Sequence, residues 1–452
     1  MRRLYSFAFY LLLPLILGYF FWRSLREPGY RQRWRERFGR RPAGAGSAVA
    51  AGGIWLHVAS IGEAQAARPL VESLLKQYPR LPLTLTCITP TGSECLRQLW
   101  GERVAHSYLP FDTPAAVTRF LDRLQPKLAL VLETELWPNL YASCAARGIP
   151  LLMVSARMTE TSLKSFNRFP GAGLLRETLA CTAGILAQTE ADAQRYRRAG
   201  APAERVAVAG NLKFDYRLDP SLVSRAQVLR EGWGAARPVW IAASTHEGEE
   251  AIVLVAHARL RERQPDLLLV LVPRHPQRFE TVAGLCAKSG LSTARRSRGE
   301  TGDTHSAILL VDTIGELNMF YAAADVVFVG GSLVPVGGHN LLEPAALGLP
   351  ILVGPHMDEQ AQMTELLLAA GGVQTVNDAQ ALAAAVSGCL ESSERRHRAG
   401  DACRQVIEQN RGALERVLAR VAGCAEWGLK IFLEPGAGAA EAPASAVRSG
   451  TE

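Results

Sequence analysis

Short apolar runs alternate with helix-like segments along most of this chain, and this alternation limits the possible folds more than any other feature. Six strands are predicted in the first half, at Ile54 to Val58, Leu83 to Ile88, Lys127 to Leu132, Pro150 to Val154, Gly184 to Ala187 and Val206 to Ala209. Five are predicted in the second half, at Val239 to Ala242, Leu267 to Val272, Ile308 to Val311, Val326 to Val329 and Pro350 to Val353. Strands that alternate with helices typically form a parallel sheet covered by helices. We therefore expect an α/β fold of two doubly wound, Rossmann-like domains whose ligand loops face a common cleft.

The length of 452 residues supports two domains, because one ordinary core does not extend over a chain of this size. A polar stretch around Asp219, Pro220 and Gly232 has the composition of an inter-domain hinge. A helical region from Asp378 to about Val421 is expected to end the folded part. The predicted divisions are a membrane anchor with a basic segment (1–42), an N-terminal domain (43–215), a linker (216–237), a C-terminal domain (238–433) and a disordered tail (434–452).

The segment from Leu4 to Trp22 carries no charge, and eleven of its nineteen residues are Leu, Ile or Phe. As a helix it would extend over about 28 Å, close to the roughly 30 Å hydrocarbon core of a bilayer. Its apolar residues cover every face, which argues against a buried core helix. No small-residue cleavage site follows it, which argues against a signal peptide. We predict an uncleaved membrane anchor, and the pattern fits both a spanning helix and one that lies in the interface.

Eight arginines and only two acids lie between Arg23 and Arg41. Positive charge beside an anchor predicts that the main body stays on the cytoplasmic side, and it also favours contact with an anionic membrane surface. The eight cysteines form no CxxC pair and no zinc-like spacing with histidine, so they are expected to be reduced thiols. No metal site and no nucleic-acid partner is expected.

A glycine-rich stretch, GGSLVPVGGHNLLEP from Gly330 onward, follows a predicted strand and has the features of a nucleotide site. Two glycine pairs allow unusual turns and close approach of a ligand to the backbone. They are Gly330 with Gly331 and Gly337 with Gly338. Asn340 is predicted to cap a helix, and Glu343 at its third position is predicted to stay ionised and contact ribose hydroxyls. Helix capping alone would also explain Asn340 and Glu343.

The run PRHPQR follows another strand and places Arg274, His275 and Arg278 within six residues, which suits a phosphate group. STHEGEE, from Ser244 and Thr245 onward, opens a helix and would add amides or hydroxyls, although capping alone explains it too. Backbone that faces a ligand is further expected after a strand at 314–316. The sequence has no GxGxxG after a first strand, no P-loop and no Asp-x-Asp, which argues against a dinucleotide oxidoreductase, a P-loop NTPase and a metal clamp.

Carboxylates follow two strands of the first half. Ser60, Gly62 and Glu63 open a helix, and Glu63 is a candidate general base that the helix N-terminus would keep ionised. Ser-x-x-Glu is also a capping box, which explains the same residues structurally. ETELWPN, from Glu133, supplies two more carboxylates or simply a helix entry at Pro138. Lys213 adds a cation near the predicted hinge.

Together these motifs resemble those of the Kdo (3-deoxy-D-manno-octulosonic acid) transferases of Gram-negative bacteria, glycosyltransferase family 30. The likeness extends to about residue 420. Seven motifs occur in the order of that family, namely SxGE, TPTGSE, ETELWPN, KFD, STHEGEE, PRHPQR and GGSLVPVGGHNLLEP. The resemblance implies a GT-B type fold with an N-terminal acceptor domain and a C-terminal CMP-sugar donor domain. It also implies inverting transfer of Kdo from CMP-Kdo to the lipid A precursor (lipid IV-A) at the inner membrane, without a metal or other cofactor.

The resemblance further implies the role of individual residues. Glu63 stands at the position of the general base, and Glu133 and Lys213 stand at those of transition-state stabilisers. CMP contacts are implied for Pro273, Arg274, Ile314, Gly315, Glu316, Asn340, Leu341, Leu342 and Glu343. The residues themselves suggest a second group of contacts from Ser244, Thr245, His275, Gly337 and Gly338. The segment GPHMDEQAQM lacks the Phe and Asn that the family pattern has after GPH, so the resemblance implies no residue roles in that loop.

Two other functions are consistent with the residues alone. One is a different sugar nucleotide enzyme of the GT-B type, such as a UDP-sugar transferase or an epimerase. The other is a membrane-tethered module that binds a sugar or nucleotide without turnover. Competition between CMP and UDP separates the first from a Kdo transferase, and product formation separates the second.

Overall fold

The computed structural model describes residues 1–40, 51–166 and 171–423. The predicted tail at 434–452, Cys424 and most of the small-residue segment around 43–53 lie outside the described residues.

Across the described residues, fourteen strands form two sheets of seven strands each, and every strand pair is parallel. In chain order the strands are β1 (Ile54–His57), β2 (Leu83–Cys87), β3 (Ala105–Tyr108), β4 (Leu128–Leu132), β5 (Leu151–Ala156), β6 (Gly184–Ala187), β7 (Val206–Val208), β8 (Val239–Thr245), β9 (Leu268–Pro273), β10 (Thr293–Arg295), β11 (Ile308–Leu310), β12 (Val326–Val329), β13 (Ile351–Val353) and β14 (Val373–Thr375). The first sheet has the order β3-β2-β1-β4-β5-β6-β7, and the second has the order β10-β11-β9-β8-β12-β13-β14.

Helices connect the strands. They are α1 (Arg2–Ser24), α2 (Trp34–Arg37), α3 (Ile61–Gln77), α4 (Pro90–Trp100), α5 (Pro114–Leu124), α6 (Pro138–Ala146), α7 (Glu160–Phe166), α8 (Gly171–Ala180), α9 (Glu190–Arg198), α10 (Ser221–Trp233), α11 (Glu249–Arg263), α12 (Phe279–Lys288), α13 (Leu317–Ala322), α14 (Leu342–Leu347), α15 (Ala361–Ala370), α16 (Ala379–Glu391), α17 (Ser393–Asn410) and α18 (Ala413–Ala422). Short 3-10 turns lie at Pro28–Arg31, Gly101–Arg103, Ala203–Arg205, Leu212–Asp215, Pro276–Arg278, Arg296–Arg298 and Asp358–Gln360.

All eleven predicted strands are present, and three strands were missed. The missed strands β3, β10 and β14 are edge strands of their sheets. Their sequences, AHSY, TAR and VQT, lack the continuous apolar run of a strand that is buried on both faces. An edge strand needs no such run because it has one neighbour and less cover.

The chain forms two compact units. The first comprises residues up to Asp215 and returns from Arg411 onward, and the second comprises Tyr216–Asn410. This division differs from the predicted boundaries at two places. The segment predicted as a linker contains α10, which belongs to the second unit and buries Trp233. The last helix, α18, was assigned to the C-terminal domain but belongs to the first unit.

The position of α18 follows from its apolar stripe. Ala413, Val417 and Val421 lie four residues apart, on one helix face, and are fully buried in the core of the first unit. The Asp215 carboxylate accepts hydrogen bonds from the amides of Gly412 and Leu414, at 2.8 and 2.7 Å. The spacing predicts a helix with a buried face, but it does not say which sheet that face covers.

Each face of the first sheet has its own core, as the two-residue period of a strand requires. In β1, Ile54 and Leu56 point into one cluster and Trp55 points into the other. In the second unit, Trp240 and Ala242 of β8 point into a single large cluster beneath α11 and α16.

Each sheet has one topological switch point, where successive strands are added in opposite directions. In the first sheet it lies between β1 and β4, and in the second it lies between β8 and β12. Ligand loops of open parallel sheets follow the strand ends at these points. The residues directly after β1, β4, β8 and β12 are therefore where each unit is expected to bind its ligand.

The N-terminal helix α1 contains the whole predicted anchor. Among the described residues it is the helix that is long and apolar enough to cross a membrane. Its contact with the first unit includes a hydrogen bond from Ser6 Oγ to Asn139 Oδ1 and an edge-on contact of the Phe20 and Phe111 rings. Its outward face is apolar, and Leu11 and Leu15 are each 70% exposed. This helix is compatible with membrane association.

Candidate functional site

The first unit places Glu63 at the start of α3, directly after β1. Ser60 caps this helix, and its Oγ accepts a hydrogen bond from the Glu63 amide at 3.3 Å. The Glu63 carboxylate turns back and accepts from the Ala59 amide at 2.8 Å. The predicted capping arrangement is therefore present, and the same carboxyl group lies at the switch point of the sheet.

The predicted ionised state of Glu63 is wrong. Burial, together with the negative charges of Glu133 and Glu135, raises the pKa of its carboxyl to about 8. The Ala59 amide and the Lys213 ammonium oppose this shift but do not outweigh it. Loss of water around a carboxylate costs more than one backbone hydrogen bond returns, so the group is mostly protonated at neutral pH.

Glu133 and Lys213 form an ion pair beside this carboxyl group. Lys213 Nζ lies 2.8 Å from Glu133 Oε1. Glu133 directly follows β4 and has a φ of 54°, in the left-handed region that few residues other than glycine adopt. Lys213 lies in the short turn after β7. The fold thus brings together Glu63, Glu133 and Lys213, which are far apart in sequence.

Glu135 is a further carboxylate at this place. Its Oε2 accepts a hydrogen bond from Trp137 Nε1 at 3.0 Å and lies 3.6 Å from the Nε2 atom of His57. His57 is fully buried in β1, and its Nδ1 atom lies 2.9 Å from Thr86 Oγ1. Sequence reasoning identified the second carboxylate of ETELWPN without a role, and it missed His57 because a histidine within an apolar strand gives no signal. Pro138 begins α6, as the helix-entry interpretation predicted.

The second unit places three histidine rings in a row at the ends of β8, β9 and β12. The rings of His246 and His339 lie edge to edge in nearly parallel planes, with centroids 5.0 Å apart and planes at 15°. Their Nε2 atoms are 2.7 Å apart, a hydrogen-bond distance. The His275 ring lies edge-on to His246, also at 5.0 Å. His275 was a predicted contact, whereas His246 and His339 were not singled out.

The pKa values of both rings lie below that of a free histidine. Burial, together with the neighbouring His246 and Arg274, lowers the pKa of His339 to about 4. The pKa of His246 is lowered as well, first by burial and then by His275. A cationic imidazolium is disfavoured here because partial burial removes water from the rings, and because Arg274 is a nearby positive charge.

Glu249 joins the loops that carry these histidines. It is fully buried at the start of α11. Its carboxylate accepts hydrogen bonds from the amides of His246, Gly331, Ser332 and Leu333, at distances of 2.7 to 3.0 Å. These four bonds connect the loop after β8 to the loop after β12. Sequence reasoning treated Glu249 only as part of a possible helix cap.

The glycine pairs are explained by the packing of these loops. A Cβ atom on Gly330 would lie 2.7 Å from the Ser244 carbonyl oxygen, and one on Gly331 would lie 3.0 Å from His339 Nε2. Gly337 and Gly338 have φ values of 107° and 79°, which favour glycine. Ser244 itself has a left-handed φ of 56°, next to a register shift between β8 and β9. The backbone is therefore strained at the carboxyl end of β8, next to the switch point of the sheet.

Asn340 and Glu343 differ from their predicted geometry. Helix α14 begins at Leu342, so Glu343 is its second residue and not its third. The exposed Asn340 accepts a hydrogen bond from the Leu342 amide through Oδ1, in a turn that precedes the helix. Burial raises the pKa of Glu343, and a hydrogen bond with the Asn340 side chain opposes this shift.

The three predicted phosphate cations have different surroundings. Arg274 is exposed, its amide donates to the Thr245 carbonyl, and no carboxylate in the described part of the chain pairs with it. Arg278 instead forms a bidentate ion pair with the buried Glu250. Arg278 is thereby committed to the protein, which leaves Arg274 and the histidine row beside it for an anion.

The remaining predicted contacts lie on three further positions. Ile314 is 79% exposed and Gly315 has a φ of 90°, whereas the Glu316 carboxylate pairs with Arg296 at 2.7 Å. Pro273 ends β9. Thr245 is fully buried, so its hydroxyl is not presented to solvent and the predicted ligand contact by that group is not supported.

No group of three His, Cys, Asp or Glu side chains within residues 1–40, 51–166 and 171–423 has the arrangement of a metal site. Even the histidine row has two of its Nε2 atoms directed at one another and not at a common point.

Known proteins resemble this chain along most of its length. The family model described as 3-deoxy-D-manno-octulosonic-acid transferase (kdotransferase) matches residues 32–216. The 3-deoxy-D-manno-octulosonic acid transferase of Haemophilus influenzae is 42% identical over 90% of this chain and 94% of that protein. The protein of the same name from Bordetella pertussis is 39% identical over 92% of this chain and 98% of that protein.

Solved structures share the fold. The UDP-GlcNAc 2-epimerase of Neisseria meningitidis, crystallised with UDP-GlcNAc, matches 82% of this chain and all of that chain with a TM-score of 0.56 and 16% identity. At this identity the similarity concerns the fold alone. Together with the two parallel seven-stranded sheets, it confirms the predicted GT-B type α/β fold.

Proposed function

The chain belongs to the 3-deoxy-D-manno-octulosonic acid (Kdo) transferase family, and from this premise we propose that it transfers Kdo from CMP-Kdo to the lipid A precursor, lipid IV-A. Kdo transfer itself follows from membership of the family. The cytidine nucleotide of the donor and the lipid acceptor are the proposed refinements.

The observation that supports this proposal most strongly is the buried Glu63 carboxyl beside the Glu133–Lys213 ion pair. A general base works best when its pKa is close to the working pH, and burial raises the pKa of Glu63 to about 8. In its ionised form Glu63 would remove the proton from a sugar hydroxyl of the acceptor. The resulting oxygen attacks the anomeric carbon of Kdo on the face opposite the phosphate, which inverts its configuration.

Lys213 and Glu133 would act on the charge that develops during transfer. The Lys213 ammonium lowers the pKa of Glu63, so it favours the ionised base. Its position also suits the carboxylate of Kdo, since a cation close to an anionic sugar stabilises it without a metal. Glu133 would orient the ammonium through their 2.8 Å contact.

The second unit would bind the donor. Arg274 is the exposed cation after β9, and it suits the phosphate, whose charge increases as the bond to Kdo breaks. The exposed backbone at Ile314 and Gly315 and the segment from Asn340 to Glu343 are the proposed contacts of the cytidine and ribose. We propose that no metal takes part, because Arg274 and the histidine row supply polar groups for the phosphate.

The N-terminal helix supports a lipid acceptor. The apolar outer face of α1 would insert into a membrane, and the arginines that follow would meet anionic lipid headgroups. We propose that the protein works at the cytoplasmic face of the bacterial inner membrane. The protein would then bind its acylated lipid substrate at the membrane surface, where that substrate is located.

A direct assay tests the proposal. The full-length protein in lipid vesicles is incubated with CMP-Kdo and lipid IV-A, and the mass of the lipid is measured. An increase by one or more Kdo units is expected, with and without a chelator of divalent metals. Unchanged lipid, or turnover of a UDP-sugar with UDP in preference to CMP as a competitor, would instead favour a different sugar nucleotide enzyme.

A further inference from the structure

The geometry of the His246–His339 pair allows its two rings to share one proton. Two imidazole rings whose Nε2 atoms are 2.7 Å apart share one hydrogen, donated by one ring to the lone pair of the other. In the neutral pair the accepting ring carries its hydrogen on Nδ1, and the donating ring has a bare Nδ1. One added proton fills that Nδ1, so the pair becomes a cation with an N–H group on each outer edge.

The surroundings leave this cation without a protein partner. The loop after β9 presents to the pair the His275 ring and the Arg274 guanidinium, neither of which is an anion. Glu249 lies near His246, but its carboxylate already accepts hydrogen bonds from four amides. Glu250 is paired with Arg278. Within the described residues, every carboxylate that acts on the pair is thus already committed to other groups.

An external anion would complete the site. The pair lies at the carboxyl ends of β8 and β12, at the switch point of the second sheet, beside an arginine that no carboxylate of the described residues pairs with. A phosphate there would accept a hydrogen bond from one of the outer N–H groups and supply the missing negative charge. If the pair stayed neutral, the bare Nδ1 of the donating ring would present a lone pair to the anion and repel it.

We propose that the His246–His339 pair is a binding site for the donor phosphate and takes up one proton from solvent when the phosphate binds. This inference rests on the proposed donor, a cytidine 5′-phosphodiester. The balance is simple: a neutral pair and a singly charged diester become a cationic pair and the bound diester, with one proton consumed and no bond broken. When the bond to Kdo later breaks, the leaving phosphate gains its second charge beside a cation that is already in place.

Calorimetry on the unmodified, full-length protein tests this inference. The probe is the methyl ester of CMP, a phosphodiester that does not titrate near neutral pH, so any proton that is taken up goes to the protein. Binding enthalpies are measured in buffers with different enthalpies of ionisation, and the slope gives the number of protons. We expect close to one proton per bound ligand near neutral pH, and affinity that falls by roughly tenfold per pH unit once the pair loses its proton in the complex.

Three variants complete the test. His246→Gln and His339→Gln should each weaken binding by roughly tenfold or more and reduce the proton uptake to less than half. His305→Gln changes an exposed histidine on another loop of the same unit and should leave both quantities unchanged. Binding by the unmodified protein without proton uptake would overturn this inference alone. No binding of the cytidine diester at all would overturn the proposed donor, and this inference with it.

Discussion

Lys213 and Glu133 contact each other at 2.8 Å although they follow different strands, β7 and β4, of the same sheet. Glu133 adopts a left-handed backbone conformation in making this contact. The pair places one positive and one negative charge beside the buried Glu63 carboxyl, and the two charges shift its pKa in opposite directions. The protonation of Glu63 is therefore adjustable by substitutions that leave Glu63 itself unchanged.

Lys213→Met should move the pH dependence of transfer to higher pH. The Lys213 ammonium lowers the pKa of Glu63, so its removal raises that pKa above about 8 and a smaller fraction of the base is ionised at a given pH. The measurement is kcat/KM for Kdo transfer against pH. Lys213→Arg keeps the positive charge and should retain most of the unmodified profile. An acidic limb that stays in place in Lys213→Met would contradict this account.

Glu63→Gln should lower the rate of Kdo transfer by about 10²- to 10⁴-fold, the usual contribution of a general base, with little effect on the affinity for CMP.

Glu63→Gln should also change how the stability of the protein depends on pH. The folded pKa of about 8 lies above the ordinary value of 4.5, so between these values the folded state retains a proton that the unfolded chain releases. The free energy of unfolding of the unmodified protein therefore falls as pH rises through this range. The stabilisation that comes from the Glu63 proton is complete only below pH 4.5.

Urea denaturation at several pH values separates these effects. Glu63→Gln has no carboxyl to ionise, so its stability relative to the unmodified protein should increase from pH 4.5 to about 8 and then level off. A constant difference over this range would show that Glu63 is not protonated in the folded state.

Glu249→Ala should destabilise the protein and weaken CMP binding together. Its carboxylate accepts hydrogen bonds from four amides of two loops. Each buried amide that is left without a partner lowers the free energy of unfolding by about 1 to 3 kcal/mol. Urea denaturation and CMP titration are the measurements. Glu247→Ala, at an exposed position two residues earlier, is the matched control and should change neither quantity. Normal CMP affinity in Glu249→Ala would mean that the two loops need not be connected for donor binding.

Arg274→Ala should affect CMP binding and Arg278→Ala should affect stability, although the two residues lie only four positions apart. Arg274 is exposed, so its loss should weaken CMP binding by about tenfold and leave the free energy of unfolding nearly unchanged. Arg278 pairs with the buried Glu250, and an uncompensated buried carboxylate costs about 3 to 5 kcal/mol. Equal losses of binding in stable variants would place both arginines on the ligand.

Substitution of the outer face of α1 should release the protein from membranes. Leu11 and Leu15 are each 70% exposed and lie one helical turn apart. The double variant Leu11→Asp, Leu15→Asp places two charges where the bilayer would be, while the face of α1 that contacts the first unit is unchanged. Membrane sedimentation is the measurement, and deletion of residues 1–22 is the reference for complete release. Undiminished sedimentation of the double variant would place the membrane contact elsewhere.

The buried centre of the fold was predictable from sequence, and its margins were not. Strands such as Leu128–Leu132 are buried on both faces and need continuous apolar runs, which identify them without any neighbour. The edge strand Thr293–Arg295 has no such requirement and was missed. The stripe Ala413, Val417 and Val421 predicts a helix, but only tertiary packing decides that it covers the first sheet.

The site residues show the same limit in their chemistry. Motif spacing located Glu63 and Lys213, but the protonation of Glu63 depends on burial and on charges from two other loops, and these are properties of the fold. The contact between His246 and His339 joins residues 93 positions apart, and no local sequence pattern indicates such a pair. The helix predicted to follow a cap at Asn340 starts one residue later than expected, at Leu342.

The return of the chain to the first unit at Arg411 has a consequence for synthesis on the ribosome. The second unit is a continuous segment and has all of its residues once Asn410 has been made. The first unit begins earlier but lacks α18 until then, so the apolar surface that α18 covers stays open and Asp215 has no amides of Gly412 and Leu414 to accept from. The unit that is started first is therefore the one that is finished last.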